Sequence, residues 1–135
     1  MNKRILGCVA LCGLFMLAGS SLQAHHSLAG VYEMDKPMEL QGKIADVKFT
    51  NPHGSVGLDV KNADGTTTKW VFTLGSATAL ARRGIGRTGK NALVPGDEVT
   101  IKFLPAKNGS PLGFLQSVTM PDGRVLQIST GRPNE

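Results

Sequence analysis

Between residues 40 and 130 the chain alternates apolar and polar side chains in short runs, each closed by a turn. Val56, Leu58 and Val60 alternate with Ser55, Gly57, Asp59 and Lys61, the period of a strand with one buried face. NADG (62–65) supplies a turn, and Trp70, Phe72 and Leu74 alternate with Lys69, Val71 and Thr73 in the partner strand. Upstream, LQGKIADVKF (40–49) has the same character, but its alternation slips between Ile44 and Val47. That slip predicts a bulge in a long, bent first strand. Downstream, VPGDEVTIKF (94–103) sets Val99, Ile101 and Phe103 on one face. PLGFLQSVTM (111–120), the turn PDG (121–123) and RVLQIS (124–129) predict a last hairpin.

One stretch carries helix signals. SATALARR (76–83) has Ser76 as N-cap, alanine and leucine inside, arginines at its end and Gly84 as the stop. The predicted order is three strands, one short helix, then two or three strands. This is the order of an OB-like Greek-key β-barrel, an all-β fold that closes on itself and removes exposed strand edges. A plain β-sandwich is the alternative.

The first 24 residues have a different pattern. Lys3 and Arg4 form a basic start, 5–18 an apolar run and 19–24 a small-residue exit. This is the layout of a secretory signal peptide, and the run is too short for an ordinary membrane-spanning helix. The expected cut follows Ala24, with a cut after Ser20 in competition, and predicts a bacterial protein of the periplasm or exterior. The chain then divides into a leader (1–24), an N-terminal segment (25–39), a barrel domain (40–130) and a tail (131–135). Cys8 and Cys12, the two cysteines of the chain, both fall in the leader, so the exported form has no disulfide. The formal charge of +5 drops by two when Lys3 and Arg4 leave. So mild a positive charge, on an exported chain, does not imply nucleic acid.

GIGRTGKN (84–91) nearly matches two nucleotide motifs, G-x-G-x-x-G and G-x-x-x-x-G-K. Both need a strand before the loop and a helix after it, so that the helix start meets the phosphates. Here the helix comes first, ALVPGDE breaks any helix that follows, and Asn91 stands where Ser or Thr would bind magnesium. The stretch reads as a basic loop in which Arg82, Arg83, Arg87 and Lys90 form a solvated face open to a small anion.

The chain's three histidines fall in two places. His25 and His26 open the mature protein, and His53 lies in TNPHG (50–54) on the loop after the first strand. In an OB-fold that loop borders the usual ligand face. A terminal histidine offers its amine and a ring nitrogen to one metal ion as a chelate, and a further imidazole adds a third nitrogen. Such donors suit Cu(II), so His25, His26 and His53 form a candidate copper site. Zinc also accepts neutral imidazole, but a closed zinc site needs four ligands. Met34 and Met38 hint at Cu(I) by their spacing alone. Nothing pairs a nucleophile with a base, which favours binding over catalysis. The alternatives to copper binding are a metal-independent module for a small ligand or periplasmic protein, and a copper oxidoreductase, which needs an open coordination position.

AHHS at the export junction, TNPH, W-x-F-x-L-G-S (70–76), L-x-R-R-G (80–84), L-x-P-G-D-x-V-T (93–100) and S-V-T-x-P-D-G-R (117–124) together resemble a family of small exported proteobacterial proteins classed as a domain of unknown function. The resemblance covers nearly all of the mature chain and implies no activity. It does include both histidine motifs, at His25, His26 and His53. Many members have tryptophan where Phe49 stands, and aromatics near Gly54, Ser55 and Ile85. An aromatic ligand platform is therefore reduced in this chain.

Overall fold

The computed structural model describes residues 28–129. Eight strands follow one another: β1 (Met38–Lys48), β2 (Ser55–Lys61), β3 (Thr67–Thr73), β4 (Ile85–Gly86), β5 (Asn91–Ala92), β6 (Glu98–Pro105), β7 (Leu112–Thr119) and β8 (Val125–Gln127). Helix α1 (Ala77–Arg82) sits between β3 and β4. The main sheet runs β3-β2-β1-β6-β7-β8, and a further parallel pairing of β3 with β7 closes five of its strands into a barrel. Its strand order and helix position are those expected of the OB-like barrel.

Closure depends on β1, which serves two neighbours. Met38–Lys43 pair with β6, and Lys43–Lys48 pair with β2. The change of partner coincides with the bulge read from the sequence: Ile44 faces Leu58 and Asp46 faces Gly57, so Ala45 is the extra residue. A second bulge, at Gln116 in β7, had no counterpart in the pattern. Its carbonyl accepts the amides of Ile128 (2.8 Å) and Ser129 (3.0 Å) beyond β8.

The inward residues form one core, with Phe72, Phe103, Leu58, Leu74, Ile101, Leu115 and Val56 fully excluded from water. Each such side chain contributes about 1.5–3 kcal/mol by burial. Trp70, Phe72 and Phe103 meet ring to ring, the last two edge-on at 4.8 Å. α1 begins at Ser76, whose hydroxyl accepts the Ala79 amide at 3.2 Å, and it contributes Leu80 to the core.

Three local expectations change. The strand read from Val94 begins at Glu98, because Pro95 and Gly96 form a turn with Gly96 at φ 101°. Residues 28–31 form a second short helix, one turn long and too brief to leave a period in the sequence. The glycine loop is built into the fold: Ile85 is buried and β4 pairs with β5. Arg83 donates to the Ile128 carbonyl (2.9 Å), while Arg82, Arg83, Arg87 and Lys90 are all exposed, as the solvated face requires.

Candidate functional site

His53 lies on the loop joining β1 to β2, as expected, and this loop is tightly held. The Gly54 amide donates to Gly75 (3.3 Å), and Leu74 donates back to the Gly54 carbonyl (2.9 Å). Ala77, the first residue of α1, donates to the Thr50 carbonyl (3.1 Å). Asn51 donates to the Thr78 hydroxyl (3.2 Å) and accepts the Thr78 amide (3.3 Å). Thr50 closes the turn by donating its hydroxyl to the His53 carbonyl (2.9 Å). The Asn51–Pro52 peptide is cis. His53 itself is exposed, and among the described residues its imidazole has no partner. The loop thus fixes its backbone while leaving the ring in water.

His25 and His26 lie outside the described residues. Among the described residues no three of His, Cys, Asp and Glu gather at metal-binding distance. Met38 is exposed at the start of β1, and Met34 is half-buried in the turn before it.

The segment leading back toward the histidine pair is anchored, which sequence reasoning missed. Tyr32 bridges to Ala106, Glu33 donates to the Pro105 carbonyl (2.9 Å) and Lys107 donates to that of Val31 (2.9 Å). The Tyr32 ring packs on Phe114 at 5.7 Å, and its hydroxyl shares a 3.1 Å hydrogen bond with that of Thr73. Leu104, Ala106 and Phe114 are buried without joining the barrel core. They form a small outer patch under this segment. Its sequence signal is the doubled apolar pairs Phe103–Leu104 and Phe114–Leu115, which bury both faces of a strand.

The outer face of β2 and β3 presents Ser55, Gly57, Asp59, Lys69, Val71 and Thr73, with no aromatic platform. Lys69 and Asp46 form a 2.7 Å ion pair across Gly57. The hydrogen bond to Asp46, then its charge, holds the Lys69 ammonium above the ordinary lysine range.

The glycine loop follows α1 and runs into β5 and the Pro95–Gly96 turn, so no helix start faces it. Asn91 accepts a 2.8 Å hydrogen bond from Arg124, which also pairs with Asp122 at 2.6 Å. Without a helix N-terminus the loop lacks the cradle for a phosphate. Titration with ATP or a dinucleotide should therefore give no saturable binding. A micromolar Kd abolished by Lys90→Ala would show the opposite.

No curated protein and no solved structure matches the chain. The model of DUF6152, a family of unknown function, matches residues 14–116, most of the chain, and the chain belongs to that family.

Proposed function

We propose that this is an exported binding protein that holds one Cu(II) between its mature N-terminus and His53. The donors are the His25 amine and imidazole together with the His53 imidazole, with His26 as a competing ligand. Nitrogen donors of this kind suit Cu(II), which also leads the affinity order of the divalent ions.

The observation that carries this reading is the anchoring of Tyr32 beside the histidine loop. Its hydroxyl bonds Thr73, and the next residue, Leu74, donates to Gly54, the neighbour of His53. Chain covers ~3.3 Å per extended residue and ~1.5 Å per helical one, so the stretch from Tyr32 back to His25 reaches on the order of 16 Å. The Tyr32 side chain and two hydrogen bonds lie between that anchored backbone and the loop. The pinned backbone fixes where the imidazole starts, and the partnerless ring leaves both nitrogens open to a metal.

The test is a copper titration of three samples: the protein with His25 verified as its first residue by intact mass, the same protein with one added N-terminal glycine, and His53→Ala. Both altered forms should bind at least about tenfold more weakly, or about 1.4 kcal/mol. Binding should also weaken as pH falls, since copper competes with protons for imidazole. Equal affinities across the three would mean that copper is caught by the terminal pair alone, and a metal-independent binding role would replace this reading.

A further inference from the structure

A second site lies where β1 changes partners. N-terminal to Lys43, β1 follows β6, while Val60 and Lys61 at the end of β2 pair only with β3. The strands diverge and leave an open groove of about 570 Å³, lined by Gln41, Gly42, Lys43, Asp59, Lys61, Thr67 and Glu98. Its size is that of a small-ligand site, but its lining is polar, which suits a charged ligand.

Two features define the chemistry. The first is an unpaired strand edge. Ile44 turns its amide and carbonyl to the β6 side, where they meet Asp97 and Gly96. By the alternation of a strand, Lys43 and Gln41 turn theirs the other way. Lys43 faces Asp59 there, whereas Gln41, which the same register would set against Lys61, is not paired with β2. Its backbone groups open into the groove.

The second feature is a row of alternating charge. Glu98 on β6 faces Lys43 on β1, Lys43 faces Asp59 on β2, and Asp59 faces Lys69 on β3. Lys69 is engaged by Asp46. Among the described residues, Lys43, Asp59, Lys61 and Glu98 form no side-chain hydrogen bond or ion pair within 4.0 Å. The groove therefore offers two ammonium groups and two carboxylates without a contact partner beside an open backbone edge, Asp59 acting on Lys69 by charge alone. A simple anion or cation would meet as much repulsion as attraction.

We propose that this groove binds a short peptide with free ends. The peptide ammonium meets Asp59, where β1 and β2 still pair, its carboxylate meets Lys61 toward the open end, and its amides pair with the edge at Gln41, as in strand addition. Neither an amino acid, which has no amide, nor a blocked peptide, which has no end charges, satisfies all three.

Triglycine titrated into the ¹⁵N-labelled protein, followed by amide chemical shifts, provides the test. Saturable shifts should centre on Gln41, Gly42, Asp59 and Lys61, with a Kd of about 1 mM or tighter. Acetyl-triglycine amide and free glycine should give much smaller shifts. Lys61→Ala and Asp59→Asn should each weaken triglycine about threefold, the scale expected of exposed charge pairs. Added salt should weaken it as well. Absence of shifts in the groove, equal response to the blocked peptide, or unchanged binding in both variants would overturn the proposal. The copper titration is independent of every one of these outcomes.

Discussion

Alanine at Gly113 should cost the barrel about 3 kcal/mol, the upper end of ordinary overpacking. Gly113 is buried in β7, with its missing side chain directed at the ring cluster. A Cβ there would lie 2.4 Å from Phe103 Cδ2 and 2.9 Å from Phe72 Cδ1. Neither ring can swing aside. Both are fully buried and packed edge to face on each other, and Trp70 closes the cluster at 5.3 and 6.0 Å. Gly113 also stands opposite Phe72 at the β3–β7 seam, so the strain falls on the pairing that closes the barrel. For a domain of this size the melting temperature should drop by roughly 15 °C. Urea unfolding followed by Trp70 fluorescence measures the loss. Gly57→Ala is the control, since its Cβ would meet the ends of the exposed Asp46 and Lys69 side chains, which can move. That variant should unfold near the parent midpoint. A Gly113→Ala midpoint as near the parent's as that of the control would show that the rings yield and that closure is not limited by their packing.

The barrel was legible in the sequence because a half-buried strand repeats every two residues, and β2, β3 and the first part of β6 keep that repeat without interruption. Even the bulge at Ala45 showed, as a slip between Ile44 and Val47. Closure was readable only through strand order, since Val71–Thr73 meet Leu112–Phe114 across some forty residues that leave no local trace. The anchoring of Tyr32 was missed for a related reason. A single aromatic in a segment without period shows no face, and its partners Phe114 and Ala106 lie far along the chain. His53 was placed correctly because Asn-Pro ends a strand and begins a turn. The charge row from Glu98 to Lys69 was not readable, since it depends on three strand registers at once.

Gly54→Ala should damage both stability and copper binding, and the two losses together test whether His53 is held for a purpose. A Cβ at Gly54 would stand 2.3 Å from the Lys48 carbonyl oxygen and 3.4 Å from its carbon. These are backbone atoms, so no side-chain rotation relieves the clash and the loop must move. The same residue donates to Gly75 and accepts from Leu74, bonds that any shift of the loop strains. A loss of about 2–3 kcal/mol in unfolding free energy follows from overpacking plus a weakened hydrogen-bond pair. Asn51→Ala removes only the exposed bonds to Thr78 and should cost about 1 kcal/mol. If the imidazole is a copper ligand, a shifted loop no longer meets the N-terminal chelate. Affinity in Gly54→Ala should then fall at least about tenfold, with Asn51→Ala intermediate. Added N-terminal glycine should lower affinity no further in Gly54→Ala, because both changes break the same bridge. A destabilised Gly54→Ala protein that still binds copper like the parent would separate the two effects. The pinned loop would then serve the barrel alone, and His53 would have no part in the site.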